Sequence, residues 1–137
     1  MSAARVVLDS FALLAFLRGE AGEEKVAALL ERAGLRDEPL HMTEVNYAEV
    51  KYIVIRKDGK DRWDEVAGEL PALPIEFHPG TRALADVAAD FKARYKLSLA
   101  DAFAAALAKE RKAELITSDP EFKALDKEIK IGWINGK

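Results

Sequence analysis

Residues 114–122 read "ELITSDPEF". An apolar run of strand length stops on a polar triplet ending in Asp119, and Pro120 stands where a helix would begin. The same order of strand, carboxylate and helix occurs at residues 5–17, "RVVLDSFALLAFL", where a β-branched run meets Asp9 and Ser10 and then a helical pattern. Repeated strand-to-helix units imply parallel strands, because parallel neighbours need a crossover connection that is usually a helix.

Working outward from these two stretches, the periodicities give a strand at Val6 to Leu8, a helix from about Phe11 to Arg18 and a second from Gly22 to Ala33. A strand at Leu40 to Met42 leads into a helix that begins near Thr43 or Glu44 and continues to about Arg56, where "RKDGK" breaks it. "DRWDEVAGEL" reads as a short helix, "PIEFH" as a strand, and Pro79 opens a helix over "PGTRALADVAADFKARY". Ser98 is placed to cap the alanine-rich helix "LADAFAAALAKERKA", whose basic end suits its dipole. A strand at Leu115 to Thr117, a short helix at Glu121 to Lys127 and a strand near Ile129 to Trp133 follow. The expected fold is a three-layer α/β/α sandwich with a mainly parallel central sheet, and the expected organisation is a single domain over residues 1–137.

Composition narrows the chemistry. The 137 residues are half hydrophobic, enough to bury a core without staples, and contain no cysteine, so disulfides and thiolate metal sites are excluded. His41 and His78 are far apart in sequence and lack the i, i+4 spacing of a helical zinc pair, so zinc is not expected. A signal-peptide pattern and an apolar run of roughly 20 residues are both missing, which points to the cytoplasm and away from a membrane. The formal net charge is −3, so contact with a nucleic acid would rest on local clusters rather than on a basic field. Lys92, Arg94 and Lys96, or Lys109, Arg111 and Lys112, could touch phosphate, yet charged helix faces are more often merely solvated. Tyr47, Tyr52, Phe11, Phe16 and Phe103 read as core or dimer surface, whereas Trp63 follows a charged turn and is open to exposure.

Four acids stand out. In open parallel sheets, ligands bind outside the carboxyl ends of the strands, which is where Asp9 and Asp119 fall. Each could equally cap the helix that follows it. Glu49 and Asp101 sit instead within the apolar stripes of their helices, Glu49 beside Val45, Tyr52 and Ile53, Asp101 beside Leu97, Ala104, Ala105 and Ala108. The small alanines would leave room beside that carboxylate. An ionised acid on a core-facing stripe carries a penalty of several kcal/mol unless something compensates it. No lysine or arginine lies at i±3 or i±4 of Asp101, and Arg56 is two turns from Glu49. Were the four to converge, pairs 4 Å apart would repel by about 4 kcal/mol at an effective dielectric of 20. A divalent cation would relieve that repulsion, and oxygen-only ligands select Mg²⁺ or Mn²⁺.

"VVLDS", "TEVNYAEV", "LSLADAFAAALA" and "LITSDPEF", in that order and over essentially the whole chain, resemble the PIN-domain ribonucleases, and especially the VapC-type toxins of toxin–antitoxin pairs. The resemblance implies a metal-dependent endoribonuclease that hydrolyses phosphodiester bonds in structured RNA. Asp9, Glu49, Asp101 and Asp119 match the family's four acids. Asp9 and Asp101 are implied as direct ligands of Mg²⁺ or Mn²⁺, Asp119 as a direct or water-mediated one, and Glu49 as the group that orients the attacking water. Ser10 and Thr117 match hydroxyl positions that support the acids or touch phosphate. A homodimer and an inhibitory VapB-type antitoxin are the implied partners.

Two other readings share the strand-end acids. A receiver-type phosphate-transfer domain needs a paired acid at the first strand, an aspartate after a middle strand and a late lysine; here Asp9 stands alone and Met42–Thr43 occupies the middle strand end. A haloacid-dehalogenase-like phosphatase needs an aspartate two residues after Asp9, where Phe11 stands. A PIN-like module that binds or assembles without nuclease turnover stays open.

Overall fold

The computed structural model describes residues 5–135. Five parallel strands form one sheet: β1 (Val6–Leu8), β2 (Leu40–Thr43), β3 (Ile75–His78), β4 (Glu114–Thr117) and β5 (Lys130–Trp133), in the order β3-β2-β1-β4-β5. All three residues of β1 and all four of β2 are buried, as expected of central strands covered on both faces. β1 pairs with β2 through Val7 and His41 and with β4 through Leu8 and Ile116.

Helices α1 (Ser10–Arg18), α2 (Glu23–Arg36), α3 (Glu44–Asp58) and α4 (Lys60–Glu69) cover one face, and α5 (Arg82–Arg94) and α6 (Leu99–Arg111) cover the other. Strand alternation assigns the side chains. Val6, Leu8 and Leu40 pack with Ala12, Val26 and Leu30 of α1 and α2, and Met42 with Val50 and Val54 of α3; Val7 and Leu115 meet Phe91, Ala104 and Leu107 of α5 and α6. The sheet and its two helical layers match the three-layer expectation.

Local chemistry sets the helix ends. Asp9, Thr43, Thr81 and Ser98 cap α1, α3, α5 and α6, each accepting a backbone N–H from the residue three positions on. Gly19 ends α1 at φ 64°, where a side chain would be strained. Three boundaries differ from expectation. The helix expected to open at Pro79 begins at Arg82, because the Thr81 hydroxyl offers a cap that Pro79 lacks. Helix α2 extends to Arg36, and the expected helix at Glu121 to Lys127 is a 3-10 turn over Pro120–Leu125.

Trp63 is only 3% exposed, edge-on to Tyr47 with ring centroids 5.7 Å apart, so its charged neighbours mark the far side of α4 and not an exposed ring. From Ala100 to Ala108 every residue of α6 is buried. Its small side chains let the helix lie close to the sheet and to α5, with Asp101 on the first turn beside the strand ends. Among the described residues, no helix is long and apolar enough to cross a membrane.

Candidate active site

The strand order reverses at β1, whose neighbours are β2 on one side and β4 on the other. Asp9 follows β1 and Asp119 follows β4, so both acids stand at the reversal, where the diverging connections leave a crevice. α1, α3 and α6 present their N-termini toward the same end.

Asp9 is fully buried. Its Oδ1 accepts the Ala12 N–H at 2.8 Å and its Oδ2 accepts the Thr117 hydroxyl. Thr117 Oγ1 in turn accepts the Asp119 N–H at 2.9 Å, so one hydroxyl fixes both strand-end acids. Asp119 Oδ1 accepts the Glu121 N–H at 2.9 Å. Each strand-end acid is thus a helix or turn cap.

Asp101 is 2% exposed, and its Oδ1 is buried with no hydrogen-bond partner. Asp101, Asp119 and Glu121 each offer an oxygen within 4.8 Å of the others. Glu49, half-buried on α3, likewise has a buried Oε1 with no partner. Arg56 does not serve it: the guanidinium lies over the Tyr52 ring, 5.1 Å from its centroid. Among the described residues, no ion pair involves Asp9, Glu49, Asp101 or Asp119.

The electrostatics follow. Burial pushes the Asp9 carboxyl up to about 7; the Thr117 and Ala12 donors pull it back in part, while the charges of Asp119 and Glu49 push it further. Asp101 is raised to about 8, first by burial, then by its hydrogen-bonding approach to Asp119 and by the charges of Asp119, Asp9 and Glu49. Asp101 and Asp119 come together with Glu121, whereas Asp9 and Glu49 reach Asp101 only through their charges.

Two participants were not singled out in the sequence. Asn46, fully buried, donates from Nδ2 to Ser10 Oγ at 3.0 Å and to the Ala100 carbonyl at 3.1 Å, accepts the Thr43 hydroxyl at Oδ1, and donates its N–H to Thr43 Oγ1 at 2.9 Å. It joins the first turns of α1, α3 and α6. An amide one turn before Glu49 in an otherwise apolar stripe was the available signal. Glu121 carried a weaker one, as a second acid in the turn after Asp119. Ser10 is also fully buried, and its hydroxyl also donates to the Asn46 carbonyl at 3.4 Å.

A hard divalent cation fits this donor set: oxygens only, two of them buried and unpartnered, with carboxyl groups that resist ionisation until a positive charge arrives.

The PIN-domain family model matches residues 6–128. This chain belongs to the PIN-domain family. No curated protein matches its sequence. Among solved structures, this PIN domain is similar to a chain of the promoter-DNA-bound VapBC2 complex of Rickettsia felis, at 13% identity and TM-score 0.74 over 93% of this chain and 97% of that one. A chain of the DNA-bound VapBC complex of Salmonella typhimurium gives 16% identity and TM-score 0.74 over 96% and 99%. The sarcin–ricin loop cleaving toxin VapC20 of Mycobacterium tuberculosis gives 17% identity and TM-score 0.68 over 87% and 93%. At these identities the likeness is one of fold: the five-stranded parallel sheet flanked by helices is the PIN architecture of toxin–antitoxin complexes.

Proposed function

We propose that this PIN domain is a Mg²⁺- or Mn²⁺-dependent endoribonuclease that cuts structured RNA by in-line hydrolysis and serves as the toxin of a toxin–antitoxin pair. The observation that carries the reading is the pair of buried, unpartnered carboxylate oxygens, Asp101 Oδ1 and Glu49 Oε1, in a cluster of acids that lacks any basic partner among the described residues. Buried polar oxygens left without partners are costly and are retained where a site needs them.

Asp9 and Asp101 would hold the ion, with Asp119 beside them directly or through water. A bound ion of this class neutralises phosphate charge, acidifies a water and stabilises the leaving oxygen. Glu49 orients the attacking water and accepts its proton at Oε1; the water oxygen bonds to phosphorus as the opposite P–O bond breaks, and the departing oxygen leaves in line and takes a proton from solvent water. Thr117 holds the Asp9 carboxylate through its hydroxyl and the Asp119 backbone N–H through the same oxygen, and Asn46 and Ser10 hold the helix ends beside them.

The toxin assignment draws on the fold shared with VapBC chains and on the sarcin–ricin cleavage named for VapC20. An antitoxin of the VapB type and a second copy of the chain are the proposed partners. Phe11, Tyr52 and Leu99, exposed by 38, 45 and 56%, offer apolar surface for such contacts.

Incubation of the purified protein with total RNA, with and without Mg²⁺ and alongside Asp101→Asn, tests the proposal. Discrete metal-dependent cleavage that the variant loses is expected. Binding of RNA with no cleavage in either metal would replace the nuclease by a binding module, and cleavage by the variant would place the activity elsewhere.

A further inference from the structure

Strand pairing brings together the two histidines that sequence distance kept apart. In the β2–β3 ladder His41 lies opposite Glu76 and Thr43 opposite His78, so all three side chains with donor groups, His41, Glu76 and His78, point to the α5/α6 side of the outer edge of the sheet. His41 Nδ1 stands 2.9 Å from His78 Nε2, and His78 Nε2 stands 3.7 Å from Glu76 Oε2. One donor atom from each of the three lies within 4.8 Å of the others.

We propose that His41, Glu76 and His78 form a second metal site, chemically distinct from the acid cluster, that takes a borderline divalent ion of the Zn²⁺ type. Two imidazoles and a carboxylate are the donor set such ions prefer, and three protein ligands leave a coordination position open to water. Bonds of about 2.05 Å at a tetrahedral angle put neighbouring donor atoms roughly 3.3 Å apart. The 2.9 and 3.7 Å spacings straddle that value and the third, His41 to Glu76, is within 4.8 Å, so closure requires the exposed Glu76 side chain to move inward. The ligands sit on adjacent strands, which fixes their Cα positions before any ion binds. His41 is 8% exposed while Glu76 is open to solvent, so an ion enters from the Glu76 side, next to a cavity of about 280 Å³ lined by His41, Glu76, Arg5 and Arg36.

Protonation favours the site on one side and restrains it on the other. Burial, with Arg111 nearby, lowers the proton affinity of both imidazoles and keeps their lone pairs available. Arg111 Nη2, however, lies 3.5 Å from His78 Nδ1, and a zinc-bound His78 carries its remaining proton on Nδ1. Arg111 must therefore swing away on binding. Its Nε is buried with no hydrogen-bond partner, so no hydrogen bond at that atom is lost when it moves. The acid cluster is remote: Arg111 ends α6 ten residues from Asp101, roughly 15 Å along the helix axis.

The site is tested on the Asp101→Asn protein, in which the acid cluster is disabled, by titrating Co²⁺ and reading visible absorption, then Zn²⁺ by competition and thermal melting. One equivalent of Co²⁺ with the intense bands of four- or five-coordination is expected, displaced by Zn²⁺ and indifferent to a large excess of Mg²⁺. His78→Ala should abolish the bands, Glu76→Gln should weaken binding at least tenfold, and Arg111→Met should tighten it several-fold. The His78→Ala protein on the native Asp101 background should keep its thermal response to Mg²⁺. Folded Asp101→Asn protein that binds no Co²⁺ at micromolar concentration, or binding that survives both His78→Ala and Glu76→Gln, would overturn the site; weaker binding by Arg111→Met would overturn the part given to Arg111.

Discussion

The Thr117 hydroxyl donates to Asp9 Oδ2 while accepting the Asp119 N–H, so side chains 108 residues apart in sequence share one hydrogen-bonded link at the ends of β1 and β4. Thr117→Val keeps the shape and removes the link. It leaves the buried Asp9 oxygen short of a donor and the Asp119 N–H short of an acceptor, at a cost of about 1–3 kcal/mol in urea unfolding. Thr117→Ser should recover most of that loss. Equal stability of the valine and serine variants would show that the link carries no energy.

Stability of the metal-free protein should fall as pH rises from about 4 to 8. Asp9 and Asp101 ionise near 3.8 in the unfolded chain and near 7 and 8 when folded, so across this interval the folded state binds more protons. The contribution is fully present below pH 4 and is lost as pH passes through the folded values. Melting in EDTA at pH 5.5 and 8.0 checks the sign; a midpoint that rises toward pH 8 contradicts it.

Asp101→Asn should stabilise the metal-free protein at pH 8, on the order of 1–3 kcal/mol, because an amide carries no charge to desolvate in the buried position. The same change should abolish the rise in melting temperature that Mg²⁺ or Mn²⁺ produces in the parent. Differential scanning fluorimetry with and without each ion reads both effects together.

Asn46→Ala removes the amide that joins Ser10, Thr43 and the Ala100 carbonyl. A loss of about 1–3 kcal/mol is expected from the buried groups left unpaired. RNA cleavage per folded molecule should also drop by at least tenfold, because the first turn of α6 carries Asp101 and positional errors of an ångström are costly in catalysis. Unchanged cleavage at reduced stability would confine Asn46 to the scaffold.

Trp63→Ala should cost about 3–5 kcal/mol by opening a cavity against Tyr47, with the Mg²⁺ response of the remaining folded protein intact. Loss of that response would tie α4 to the acid cluster through α3, on which Trp63 packs.

Local chemistry was legible in the sequence. The β-branched and apolar runs of β1, β2 and β4, the cap at Ser98, the alanine-rich α6 and the four acids at odds with their surroundings all follow from propensity, periodicity and the cost of desolvating charge, which act over a few residues. The start of α5 was misread because Pro79 and Thr81 are both acceptable helix openers, and only the path of the chain out of β3 selects between them.

What tertiary structure alone decided is which distant residues meet. The order β3-β2-β1-β4-β5 sets β4 beside β1, which unites Asp9, Thr117 and Asp119, and the β2–β3 register sets His41 against Glu76 and within reach of His78. Neither the strand order nor the register is encoded in any short stretch. Both emerge when the apolar faces of all five strands and six helices are buried at once, and that global packing turns scattered acids and two isolated histidines into compact groups of donor atoms.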